Sequence, residues 1–223
     1  MIDILANYGP DILNGLMWTI IIVGLGFVTG SLFGTIIGLA RNNRWTAIRW
    51  LSGTYIEIFR NTPLLVQASL LFACAGVMRI RVDPELIGVL CVALYTAAYM
   101  AEIVRGALHS VPQSQWEASK ALGLHKVQTF RLVIFPQLLP YGLPASANLL
   151  ATVTKESAFL SALSVAELTF SGQVVIAQTF AVFEVWAIIG VLYLALVLSL
   201  LAIAARIETA FDWHARDRKR QDV

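Results

Sequence analysis

Charge is scarce in this chain. Asp, Glu, Lys and Arg make up 13% of its 223 residues, against roughly 25% in a water-soluble domain, and 58% are hydrophobic. The mean hydropathy is +0.73. That balance excludes a soluble globular fold. The two cysteines, Cys74 and Cys91, both lie inside apolar runs, so neither a disulfide nor a thiolate metal site is expected and each reads as a buried thiol. The three histidines, His109, His125 and His214, are scattered without ligand spacing, which excludes a metal centre. No glycine is followed by lysine, so the chain lacks the phosphate-cradling Gly-x-x-x-x-Gly-Lys-Ser/Thr loop. Any ATP it uses must be bound, with its Mg²⁺, by another subunit. The net charge of +2 is too small to suggest a nucleic acid partner.

What the chain has instead is apolar runs of about 20 residues, the length needed to cross a hydrocarbon core. Five spans are expected at about 16–40, 57–78, 86–108, 142–163 and 184–206, within a single membrane domain covering residues 1–223. The opening MIDILANYGPDILNG carries Asp3 and Asp11 and no basic patch, so the first run reads as a retained span rather than a signal peptide. Gly30, Gly34 and Gly38, four apart, lay a smooth stripe along the first span, following Gly24 and Gly26. Such a stripe admits another backbone, from either the same subunit or a neighbouring one.

Lys and Arg near the span ends set the orientation. Arg41, Arg44, Arg49 and Arg60 follow the first span, and Arg105, Lys120, Lys126 and Arg131 follow the third. Arg206, Arg216, Arg218, Lys219 and Arg220 follow the fifth. On the other side Arg79 and Arg81 are offset by Asp83 and Glu85, and the loop 164–183 has no Lys or Arg. The C-terminus is therefore expected in the cytoplasm and the N-terminus outside.

The polar segment 109–140 then lies on the cytoplasmic face. Pro112 disfavours helix continuation, and Ser114 with Glu117 stand in capping-box relation, predicting a new helix. Gly123 stands where a left-handed residue would end that helix after about two and a half turns. The helix would be about 12 Å long, with Trp116, Ala118 and Leu122 among polar neighbours. A second helical stretch over about 125–135 leads back to the membrane, punctuated by Pro136, Pro140 and Pro144.

Ionisable residues inside spans are costly and are functional candidates by default. Lys155 and Glu156 are consecutive and project about 100° apart, so one can meet a solute while the other pairs with a neighbouring span. An internal ion pair is the competing reading for each. Glu102 and Arg105, three apart, predict a structural pair along one helix face. Tyr95, Thr96, Tyr99, Gln67 and Asn148 are further candidates to line a path. Arg60 and Pro63 are expected to serve helix geometry where the second span begins.

The run Glu117-Ala118-Ser119, then Gly123, Val133 and Phe135-Pro136, resembles the EAA loop of ABC importer permeases. It departs mildly from that pattern at Ser119, Val133 and Phe135. EIFRNTPLLVQ at 57–67, AAYMAEIVRGAL at 97–108 and Lys155 followed by ESAFL at 156–160 resemble the polar amino acid branch, which includes histidine, arginine, glutamine and glutamate importers. The resemblance covers nearly the whole chain. It implies an all-α type I importer permease with five transmembrane helices and a short cytoplasmic coupling helix. Ser114, Trp116, Glu117, Ala118, Ser119 and Gly123 would dock that helix on an ATP-hydrolysing subunit. It also implies two ATP-binding subunits, a second permease subunit, identical or related, and an extracytoplasmic substrate-binding protein docked on outward loops including 164–183. Lys155, Glu156 and Ser157 would lie near the translocation path of an amino acid. Three alternatives have less support. A secondary transporter usually shows inverted repeats, and none is visible. A channel needs polar rings, and a membrane enzyme needs a polar constellation that is missing.

Overall fold

The computed structural model describes residues 2–41 and 44–211. His214 and the tail cations Arg216, Arg218, Lys219 and Arg220 lie outside the described residues. Every regular element among those described is helical: α1 (Ile2–Ala40), α2 (Thr46–Arg60), α3 (Leu64–Val77), α4 (Pro84–Ser110), α5 (Gln113–Ala121), α6 (Lys126–Gln128), α7 (Phe135–Glu156), α8 (Leu168–Thr179) and α9 (Val182–Phe211). A π-helical segment, Thr129–Ile134, leads into α7, and a 3₁₀ segment, Ser157–Leu163, leaves it. α1, α4 and α9 are each long and apolar enough to cross a membrane alone, and two bent pairs bring the total to five.

The glycine stripe of α1 meets α4 within the same chain. A Cβ at Gly30 or Gly34 would stand 2.5 Å from the carbonyl oxygen of Ala93 or Ala97, and one at Gly38 would stand 2.7 Å from that of Ala101. The contacts advance together along both helices, so α1 and α4 run parallel with backbones touching. Small residues permit this approach, and dispersion between the close backbones replaces the hydrophobic drive that lipid removes. α1 also begins about four turns before the expected span. Its early turns hold Tyr8, Gly9 and Pro10 and so lack an unbroken apolar run, yet Ile4 and Ile12 are buried in an outer cluster with Leu168, Val175, Val185 and Ile189.

The second span is broken rather than continuous: α2 and α3 meet at 107°. Pro63 lacks an N–H and disfavours a helical residue before it, so Asn61-Thr62-Pro63 ends α2. The Ile58, Phe59 and Arg60 carbonyls are left without a backbone partner among the described residues and all three are paired with side chains, while the Glu57 carbonyl also accepts from the Asn61 N–H at 3.2 Å. Asn61 Nδ2 donates to Glu57 (2.8 Å), Thr62 Oγ1 to Ile58 (2.9 Å), Gln67 Nε2 to Phe59 (2.8 Å) and the Tyr99 hydroxyl to Arg60 (3.2 Å).

The fourth span also departs from a simple rod. α7 runs unbroken through Pro140 and Pro144, so these prolines do not punctuate it. The expected 125–135 helix is instead a three-residue turn followed by the wider π segment, ahead of Pro136 at the start of α7. The Ser157 hydroxyl donates to Thr154 (2.8 Å) as α7 tightens. Ser164 then takes a left-handed conformation, φ 61°. The loop expected at 164–183 is mostly α8, inclined 47° to the preceding helix. The fifth span, α9, extends a turn beyond its expected end.

Two buried clusters result. The inner one joins α1, α3, α4 and α7 around Ile22, Leu64, Cys91, Val92, Tyr95 and Val153; the outer one joins the start of α1 to α8 and α9. Gly34→Ala should lower the stability of the purified protein by about 1–3 kcal/mol through overpacking. Gly24→Ala, with nothing within 4 Å of the new methyl, should not. Thermal unfolding in detergent measures both.

Candidate functional site

The α5 end is built from local signals. α5 spans nine residues, about 13 Å at 1.5 Å per residue. Its start differs from expectation. Pro112 occupies the cap position, Ser114 lies inside the first turn, and no side chain caps the helix, so the Ser114–Glu117 box does not form. Pro112 accounts for the shift: its fixed φ of −58° starts the helix two residues earlier. The other end is as expected. Gly123 has φ 73°, its N–H donates to Lys120 (3.0 Å), and the Leu124 N–H donates to Ser119 (3.1 Å). This is a complete Schellman closure.

Ser119 is buried and its hydroxyl donates to the Gln115 carbonyl, 2.7 Å away, while Gln137 Nε2 reaches Gln115 Oε1 at 3.3 Å. α5 is thus held to the foot of α7. Glu117 and Ala118 are exposed and Trp116 is half-buried. Leu122 is 79% exposed and Val127 68%, an apolar edge facing away from the chain.

Within the spans, one face of α7 is left open. Tyr141, Asn148 and Lys155 are exposed and Thr152 is partly so, at intervals of three, four or seven residues that place them on one stripe. Neither Lys155 nor Glu156 forms an ion pair among the described residues. The Tyr95 ring of α4 lies 4.6 Å from that of Tyr99. Ser157 is fully buried and turned to the backbone. Tyr99 and Gln67, expected to line a path, pair instead with carbonyls at the α2–α3 break. Gln67 is buried and its Oε1 has no partner among the described residues.

Glu102 pairs with Arg105 as expected, Arg105 Nε and Nη2 reaching its two oxygens at 2.9 and 2.7 Å. Arg60, expected to serve only helix geometry, adds a second cation at 3.4 Å and lies 5.5 Å from the Tyr99 ring centre. The pair therefore fastens α2 to α4 across the break.

Sequence reasoning missed Glu167. It is fully buried, accepts from the Phe170 N–H at the start of α8 (2.8 Å), and accepts from the Tyr193 hydroxyl of α9 (2.6 Å). Thr169 Oγ1 lies 3.1 Å from the same hydroxyl, and the Leu168 N–H donates to Thr19 Oγ1 of α1 (3.0 Å). One carboxylate thus joins the fourth span to α9 at its break, and Thr19 ties α1 to the same point. The available signal was a lone acid in a stretch, 164–183, without Lys or Arg.

Five membrane crossings, two of them broken and one bearing an open polar stripe, define a permease of the type I importer fold. The family described as the binding-protein-dependent transport system inner membrane component matches residues 30–213, and this chain belongs to it. The glutamine transport system permease GlnP of Escherichia coli K12 is 33% identical over 201 residues, covering 89% of this chain and 92% of that one. The L-cystine transport system permease TcyB of Bacillus subtilis is 32% identical over 162 residues, covering 73% and 69%. Among solved structures, an amino acid ABC transporter crystallised with histidines matches with a TM-score of 0.86 at 30% identity, over 92% of this chain and 96% of that one. The inward-facing MetNI methionine transporter shares the fold, with a TM-score of 0.71 at 21% identity, over 94% and 98%.

The chain is a multi-pass inner-membrane permease component, not a self-contained transporter. Family membership brings an ATPase and a binding protein as companions in general terms. Tyr193→Phe should cost about 1–3 kcal/mol by leaving Glu167 short of a donor. Tyr141→Phe, at an exposed site, should leave the unfolding midpoint unchanged in the same detergent melt.

Proposed function

We propose that this chain is one of two permease subunits in an ATP-driven importer of a polar amino acid or close derivative. Two partner subunits bind ATP and Mg²⁺, and an extracytoplasmic binding protein delivers the solute to the face carrying α8. The N-terminus lies outside and the C-terminus in the cytoplasm, the arrangement that Arg41, Arg44, Arg49, Arg105, Lys120, Lys126 and Arg131 favour at the α5 end. The observation that carries the reading is the open stripe on α7. A polar face with an unpaired ammonium is costly against lipid, so it belongs against a second permease subunit or a solvated path. Along that path Lys155 offers its ammonium to a carboxylate, and Glu156 offers its carboxylate to an ammonium or a cationic side chain. Relatives bearing glutamine and cystine names and a neighbour crystallised with histidines support the substrate class.

α5 is the coupling helix in this reading. Glu117, Ala118 and the exposed Leu122 and Val127 meet the ATPase, while the Gln115–Gln137 hydrogen bond ties the helix to α7. A short helix closed at one end by Gly123 moves as a rigid body, so displacement of the ATPase is passed to the fourth span rather than absorbed. Gly123→Pro removes the N–H that closes the helix and should leave the protein inserted while uncoupling ATP hydrolysis from uptake. Full coupled transport by this variant in proteoliposomes would overturn the coupling role. Glu156→Gln should change affinity or selectivity across a panel of amino acids with assembly intact. Failed assembly with unchanged preference would make Glu156 structural instead.

A further inference from the structure

The end of the bundle that carries α5 also holds a cavity that the transport reading does not use. Its volume is about 420 Å³, and its lining is Arg41, Thr46, Arg49, Trp50 and Arg105. Three of the five lining residues are cations. Arg105 is held by Glu102, but neither Arg41 nor Arg49 forms an ion pair among the described residues. The fold itself brings these two together: Arg41 Nη1 donates to the main-chain carbonyl of Arg49 at 3.3 Å, and its guanidinium lies across Gly53, where a side chain would collide with it. The N-terminus of α2 opens onto the same space without a side-chain cap, adding the positive end of a helix dipole. Gathering like charges around a concavity is unfavourable unless an anion completes it, and guanidinium forks match the oxygens of a phosphate.

The surroundings identify the source of that anion. Residues 45–51 are all exposed, Trp45 at 65% and Trp50 at 69%, with Ile48 and Leu51 beside them. Tryptophan interleaved with arginine and aliphatic residues is the composition of a helix end at the lipid headgroup level. Basic pockets between transmembrane helices hold anionic headgroups in this way.

We infer that the cavity between α1, α2 and α4 binds the phosphate of an anionic phospholipid, with the acyl chains passing over Ile48 and Leu51. The inference goes beyond the transport reading and shares with it only membrane insertion, so its test reads lipid rather than uptake.

The full chain with its co-purifying subunits would be placed in phosphatidylcholine nanodiscs with and without phosphatidylglycerol. Lipid retained after extraction would be counted by native mass spectrometry. Wild type should retain phosphatidylglycerol and melt at a higher temperature in its presence. Arg49→Gln should retain about fivefold less, the effect expected for one cation at the headgroup surface. Inorganic phosphate should not reproduce the stabilisation. Equal retention by wild type and Arg49→Gln would overturn the inference, as would equal stabilisation by inorganic phosphate, which would mark a soluble-anion site. Brominated phosphatidylglycerol should quench tryptophan fluorescence more than brominated phosphatidylcholine in unmodified protein. Equal quenching would overturn the inference even if Arg49→Gln failed to fold.

Discussion

A backbone amide or carbonyl left unpaired in hydrocarbon costs several kcal/mol, and this requirement governs every departure from a plain helix here. The α2–α3 break survives because Thr62, Gln67 and Tyr99 take the three carbonyls it frees. The α7–α8 break survives because the Ser157 hydroxyl donates to the Thr154 carbonyl, while the Thr19 hydroxyl and the Glu167 carboxylate accept the N–H groups of Leu168 and Phe170 at the start of α8. Much of the polarity inside this bundle is therefore committed to its own backbone. Residues that look available for a solute, Gln67 and Tyr99 among them, are occupied in holding bends open. The polar groups left over, on the open stripe of α7, stand out for that reason.

The parallel contact of α1 with α4 is the second determinant. With backbones in contact along three glycines, these two helices form one stiff unit, and the bent elements are arranged around it. Glu102 then joins α2 to that unit through Arg60 and Arg105. A carboxylate between two guanidiniums, partly exposed, keeps its charge balanced without full burial, which limits the desolvation cost that a deeply buried pair would carry.

Much of this was legible in the sequence. The third span has clean ends because Pro84 and Asp83 start it and Pro112 follows it. Gly123 announced its own left-handed turn, since little else sits there without strain. Glu102 and Arg105 paired as their spacing required. What was not legible depended on distant partners. The early turns of α1 look polar until α8 and α9 cover their apolar residues. Ser114 and Glu117 form a plausible box, but the proline ahead of them sets the start of the helix. Glu167 gives no periodic signal, because its role comes from a tyrosine 26 residues further on. The path through Pro140 and Pro144 was likewise hidden, since local rules count each proline as a stop while neighbouring helices in a membrane can accommodate it.

The division of the interior into an inner and an outer cluster has a mechanical meaning. No buried residue is shared between them, but α1 runs unbroken through both, with Ile4 and Ile12 in the outer cluster and Ile22 in the inner one. Displacing the outer cluster therefore also moves α1 and α9, each an unbroken helix, while the Glu167–Tyr193 bond holds the start of α8 to α9 within it. The mouth of the bundle is thus geared to the helices below it rather than free to swing on them.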